Sequence, residues 1–284
     1  MRGLRPEAGR RRWRTKAPGG RRPGLAGAGG YWALSGLEPT LNLLGSIPFE
    51  TVYNYDLSII ALFVLMGNFA MVSGMSRDLY DAAHAWVGHW RGGLASSTIV
   101  GCAGFSALSG SSLASAVTMG RVALPEMQRY KYDNRLATGS IAAGGTLGIL
   151  IPPSAGFVIY AILTEESIGR LFIAGVLPGI LLSGLFILAI YILTSINPAL
   201  GPASGAAKPL VERLQALRRA SWIIGIILVT IGGIYAGVFS AIEAAGIGAF
   251  LAFLVALMRR TVTIQSMKEV LGHTLRSTAT TFYI

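Results

Sequence analysis

Two clusters of residues in this chain have the types and spacing to hold a small charged species. One is Ser109-Gly110-Ser111-Ser112, and the other runs from Gly139 through Gly144, Gly145, Thr146 and Gly148 to Pro152, Pro153 and Ser154. Serine hydroxyls and the free N–H groups at a helix start donate to a carboxylate, while carbonyls freed at a helix end accept a hard cation. Each cluster lies in a run of 29 residues without a charge, one between Arg91 and Arg121 and the other from Leu136 to Thr164. The first run is rich in Ser, Gly and Ala rather than Leu, which suits membrane depth but not a lipid-facing surface. Its middle holds turn formers, because glycine tolerates positive φ and serine hydroxyls compete for backbone groups. Two short helices meeting at Ser109–Ser112, a re-entrant hairpin, are therefore expected. In the second run the two prolines remove N–H donors and disfavour helix in the preceding residue, so a break is expected between about Gly144 and Ser154.

Freed backbone groups cost several kcal/mol each in hydrocarbon, so such breaks persist only inside protein or beside a watery cavity. Two of them adjacent in sequence suggest one site. Ser109, Gly110, Ser111, Gly144, Gly145 and Thr146 are candidates for a cation, mostly through backbone carbonyls. Ser111, Ser112, Pro152, Pro153 and Ser154 are candidates for an anionic substrate, and Asn68 is a supporting polar residue. The competing reading is that these small residues only let helices pack closely. No Lys or Arg lies within either run to clamp a carboxylate, so the residues do not select one acid over another.

The segment from Ser106 to Ser154 carries three specific pieces: SGSS, PEMQRYKYD and GGTLGILIPPS. They resemble the core of the large membrane subunit, DctM type, of tripartite ATP-independent periplasmic (TRAP) transporters. Weaker likeness extends from about Leu37 to the end. The resemblance implies an all-α polytopic membrane protein, a partial inverted-repeat elevator-type transporter. It further implies sodium as the coupling ion with no other cofactor, a small organic acid as substrate, and residence in a bacterial inner membrane. The implied partners are a small membrane subunit and a periplasmic substrate-binding protein. A divalent-anion/sodium symporter of related fold is an alternative. The turn VFSAIEAAG departs from the family's FTPTEAA, with Ala241 and Ile242 in place of Pro and Thr.

The composition agrees with a lipid-embedded class. Of 284 residues, 52% are hydrophobic and 13% charged, against about 25% charged in soluble domains. The mean hydropathy is +0.57. The net charge of +11 is local: residues 1–30 hold nine of the 24 Lys and Arg and a single acid. Such an Arg/Gly/Pro head is expected to be disordered and outside the fold. It has no stacking platform for RNA beyond Trp13, so no nucleic-acid partner is expected. A single cysteine, Cys102, rules out a disulfide framework and suits a packing role.

Further organisation follows from hydropathy and charge. Residues 31–200 read as a first repeat: a mixed interfacial segment broken by Gly36, Pro39, Gly45 and Pro48, a spanning helix at Leu57–Ser76, an amphipathic arm at Arg77–Arg91, the hairpin, the broken helix and another span. Residues 121–135 and 201–220 read as basic loops, which places both on the cytoplasmic side. Residues 221–284 read as an incomplete second repeat. Within it, Ser240 and Glu243 have the spacing of a capping box. The chain looks truncated at both ends, and the expectation is that alone it neither binds nor transports; an inert membrane fragment is the competing outcome. A membrane serine protease is disfavoured, because the three histidines fall at predicted interfaces and no GxSxG motif occurs.

Overall fold

The computed structural model describes residues 21–52, 55–203, 205 and 207–282. Among them no strand occurs; the elements are twelve α-helices joined by short turns and two 3-10 segments. Two units are distinguished, residues 1–53 with 281–284 and residues 54–280. In the first, α1 (Arg21–Ser35) and α2 (Leu37–Val52) meet at Gly36, and the Thr40 hydroxyl donates to the Gly36 carbonyl at 2.7 Å. Two expectations change here. The part of the basic head from Arg21 to Gly30 is helical, and Pro39, Gly45 and Pro48 lie within a continuous helix. Pro39 sits in the first turn, where its missing N–H has no helical acceptor. Residues 1–20 of the expected disordered head lie outside the described residues.

The second unit is built around α5 (Gly93–Ser109). Fourteen of its 17 residues are buried, whereas only 11% of the apolar window of α9 (Ile168–Ile196) is. That contrast separates a helix surrounded by protein from one made to face lipid. Hydroxyls on α5 satisfy themselves along the helix: Ser97 donates to the Gly93 carbonyl at 2.7 Å and Thr98 to that of Leu94 at 2.9 Å. Packing around α5 comes from α3 (Ser58–Val72), α4 (Met75–Val87), α6 (Ser112–Arg129), α7 (Asn134–Leu150) and α9. The amphipathic arm, α4, buries Leu79, Tyr80 and Ala83 and leaves Arg77 exposed, so it braces the hairpin as that periodicity predicts, although Trp86, at the same helical spacing, is exposed.

α3 packs along α11 (Ala241–Met258), closely enough that a Cβ on Gly248 would sit 2.5 Å from Met66 Sδ of α3; on the other side it would lie 2.6 Å from the Thr230 side chain of α10 (Leu210–Tyr235). Ser240 and Glu243 form the expected capping box at the start of α11. Two basic segments expected as loops are partly helical. α6 continues through Pro125 to Arg129, and α10 begins at Leu210, so residues 210–220 belong to it. Charge marks where a helix leaves the apolar zone, not where it ends. The last element is α12 (Ile264–Phe282). Among the described residues five segments are long and apolar enough to cross a membrane: residues 55–72, 134–164, 168–196, 210–235 and 241–258.

Candidate functional site

The hairpin turns at Gly110, whose φ of +58° is a conformation that L side chains rarely adopt. Ser111 is extended and caps α6, its hydroxyl accepting from the Ala114 amide at 3.4 Å. Ser115, on the next turn of α6, bridges back to α5 through its hydroxyl, 3.1 Å from Ser106 Oγ and 3.0 Å from Ser109 Oγ. This buried chain of three hydroxyls holds the two arms in register.

The second interruption follows α7. Ile151 is extended, the Pro152–Pro153 peptide is cis, and α8 (Ala155–Thr164) begins after Ser154. Pro152 and Pro153 have no N–H, so the carbonyls of Gly148 and Ile149 lose their helical donors. The Ser154 hydroxyl replaces one of them, donating to Ile149 O at 2.6 Å. Among the described residues no donor outside the helix replaces the other, at the Gly148 carbonyl.

The two interruptions touch. The Ala155 amide donates to the Gly110 carbonyl at 3.3 Å, and a Cβ on Gly110 would lie 2.8 Å from the Pro153 oxygen. A hairpin tip therefore meets the break of a 31-residue span. Converging there are the C-terminal ends of α5 and α7, which favour a cation, and the N-terminal ends of α6 and α8, which favour an anion.

The expected unwinding at Gly144 and Gly145 does not occur, because both lie inside regular α7 and the break starts only at Ile151. Glycine is a weak helix breaker beside proline. Their role in the structure is close approach. A Cβ would lie 2.7 Å from Cys102 Sγ at Gly144, 2.7 Å from the Ala116 Cβ at Gly145, and 2.7 Å from the Ser111 backbone at Gly148. α7 thus lies in the groove between the hairpin arms. Thr146 is exposed, and its hydroxyl donates to the Ala143 carbonyl at 2.6 Å.

A cavity of about 260 Å³ opens beside the hairpin tip, lined by Asn68, Ser109, Ser111, Thr118, Arg121, His273 and Ser277 among others. Of the residues expected from sequence, the structure brings Asn68, Ser109 and Ser111 to this cavity. Gly110 and Pro152 to Ser154 lie buried at the tip junction, and Ser112 is half-buried at the start of α6. Asn68 donates from Nδ2 to Thr274 Oγ1 at 2.9 Å, linking α3 to α12. It reaches the hairpin through its neighbour, since a Cβ on Gly67 would lie 2.7 Å from Ser109 Cα. Sequence reading missed Thr118, Arg121, His273 and Ser277. The spacing of Ser111, Ala114, Thr118 and Arg121 places them on one face of α6, a signal that would have found two of the four. No carboxylate lines the cavity, and Arg121 supplies a permanent positive charge.

A helical hairpin joined to an interrupted apolar helix, inside a bundle with five candidate spans among the described residues, defines an all-α multi-pass membrane protein. The profile of the tripartite ATP-independent periplasmic transporter DctM component matches residues 24–284, and the chain belongs to that family. It is 43% identical over 211 residues to the C4-dicarboxylate TRAP transporter large permease protein DctM of Pseudomonas aeruginosa, which covers 74% of this chain and 48% of the relative. It is 36% identical over 253 residues to the Rhodobacter capsulatus protein of the same name, covering 83% and 56%. The ectoine/5-hydroxyectoine TRAP transporter large permease protein UehC of Ruegeria pomeroyi is 41% identical over 178 residues, covering 62% and 40%. The chain spans about half the length of these relatives. The relatives are transporter permeases, not enzymes.

Proposed function

We propose that the chain contributes one half of the ion and substrate site of a sodium-coupled, binding-protein-dependent transporter that imports a small organic acid across a bacterial inner membrane. The observation that carries this is the backbone bond from Ala155 to Gly110, which makes one site of two interruptions that would each be costly alone. Sodium needs hard oxygen ligands but little charge. The end of α5 at Ser109 and Gly110, the Ser111 hydroxyl and the unreplaced Gly148 carbonyl supply them without a carboxylate. Gly144 and Gly145 support that cation site by seating α7 against the hairpin, whereas Thr146 is exposed on α7. The half-helix starts at Ser112 and Ser154, with Ser111 beside them, supply donors for an anion. Arg121 adds positive charge on the cavity side. Relatives are named for C4-dicarboxylate, isethionate, ectoine and sialic acid, so the substrate is assigned here only as a small organic acid. A small membrane subunit and a periplasmic substrate-binding protein complete the transporter in this reading.

The test is uptake into liposomes holding the permease with its small subunit, fed by a loaded binding protein. Uptake is expected with an inward sodium gradient and at background with potassium in its place. Uptake indifferent to sodium would overturn the coupling. Uptake unaffected by Gly148→Val would remove the tip junction from the site.

A further inference from the structure

A second cleft, of about 450 Å³, lies between α7 and α9. Its walls include Ile99, Gly139, Phe186 and Leu193, and Arg135 is its one charged lining residue. Both flanking helices belong to segments long and apolar enough to cross a membrane. Apolar walls at that depth favour hydrocarbon over water. Arg135 is the second residue of α7 and is exposed. Among the described residues its guanidinium forms no ion pair. The nearest acid in sequence, Asp133, is engaged as helix cap and accepts from the Arg135 amide at 2.7 Å. The preceding turn adds Arg129 and Lys131. From Arg135 the slot follows α7 inward past Gly139 to Ala143, about 12 Å at 1.5 Å per residue. At the Arg135 end, the backbone bond from Asp133 N to Leu200 O, at 3.0 Å, ties the start of α7 to the connection after α9.

The geometry points to a binding site for an anionic phospholipid of the inner leaflet, one acyl chain lying in the α7–α9 cleft and the phosphate on Arg135. A guanidinium forks onto phosphate oxygens. A zwitterionic headgroup brings its own ammonium, which competes for the same phosphate, so a net-negative lipid is preferred. The inference concerns a face distinct from the hairpin cavity and does not depend on sodium coupling.

The full chain, equilibrated in detergent with equal amounts of dioleoyl phosphatidylglycerol and dioleoyl phosphatidylcholine, would be read by native mass spectrometry. The glycerol lipid is expected to be retained about fivefold over the choline lipid, as one basic side chain at an anionic surface provides. Arg135→Gln is expected to bring the ratio close to one. Gly139→Leu has room, since nothing lies within 4 Å of a Cβ there, and is expected to lower retention of both lipids by filling the slot. Circular dichroism would verify that both variants keep wild-type helicity. A wild-type ratio near one, a ratio unchanged by Arg135→Gln, or retention unchanged by Gly139→Leu would each overturn the proposal. So would displacement of the glycerol lipid by inorganic phosphate at matched ionic strength, which would make Arg135 a free-phosphate site.

Discussion

Arg259 Nη1 lies 2.6 Å from Asp78 Oδ2, and the same guanidinium nitrogen donates to the Ser73 carbonyl at 3.2 Å. One side chain thus joins the end of α11 to the α3–α4 turn, 186 residues away in sequence. The carboxylate contact is an ion pair by proximity and lacks the alignment of a hydrogen bond. Side-chain exposures of 26% and 20% mean that water screens it partly. A double-mutant cycle with Asp78→Asn and Arg259→Gln, read by thermal unfolding in detergent, should give a coupling of about 1 kcal/mol. Arg259→Gln alone should cost more than Asp78→Asn, because it also removes the Ser73 contact. Strictly additive variants would show the pair to be solvent-separated in solution.

Two glycines on α7 should respond oppositely to the same change. At Gly148 a Cβ meets the Ser111 and Ser112 backbone at 2.7 Å, which can yield only by moving the hairpin. Gly148→Ala is therefore expected to destabilise by about 1–3 kcal/mol. Gly139 is exposed with open space around it, so Gly139→Ala should stabilise by up to about 1 kcal/mol through helix propensity. Equal melting shifts for the two would remove the close approach of α7 to the tip as their cause.

His84, on α4 and half-buried, has its pKa lowered from the usual 6.5 by burial and then by Lys208, with Glu126 opposing. The fold favours the neutral ring, so protonation in the unfolded chain costs stability as pH falls below 6.5 toward the folded value. Above 6.5 the contribution is fully present. Asp81 works in the other direction, since partial desolvation raises its carboxyl and its stabilisation is lost as pH rises through that raised value. Comparing His84→Gln with wild type isolates the histidine. The variant should lose less melting temperature between pH 7 and pH 5, and parallel curves would contradict the assignment.

The hairpin has a topological consequence. Arg77 precedes it, Gln128 follows it, and both are exposed. Arg77→Cys and Gln128→Cys should both react with an impermeant maleimide added from the cytoplasmic side, while the native Cys102, fully buried, stays silent. Labelling from opposite sides would mean that α5 and α6 together cross the membrane.

The hairpin was legible because a charge-free run with Ser109–Ser112 at its middle leaves few other folds for membrane-deep backbone. The broken helix was legible from Pro152 and Pro153, whose missing N–H groups are a covalent fact. Gly144 misled for a physical reason: the same glycine that weakens an isolated helix permits close packing, and Cys102 opposite it favoured the second effect. Charged segments misled at α6 and α10, because a helix can continue into the headgroup zone once its apolar stretch ends. Of the cavity, Ser109 and Ser111 came from the local pattern. His273 and Ser277 come from α12, and the Asn68–Thr274 bond that brings this helix there spans 206 residues with no periodicity to announce it.

The connection after α9 accepts backbone bonds from the start of each interrupted element, Gly92 N to Gly201 O at 3.2 Å and Asp133 N to Leu200 O at 3.0 Å. Amides and carbonyls are common to nearly every residue type, so in this double mooring the bond at Leu200 O does not depend on which side chain stands there. A proline at position 92 or 133, which deletes the donor itself, is the change that mutation would have to find to cut it. Inheritance can therefore rewrite Leu200 while the hairpin and the broken helix stay fastened to the same connector, but not Gly201, where a Cβ would lie 2.9 Å from Thr194 Cγ2.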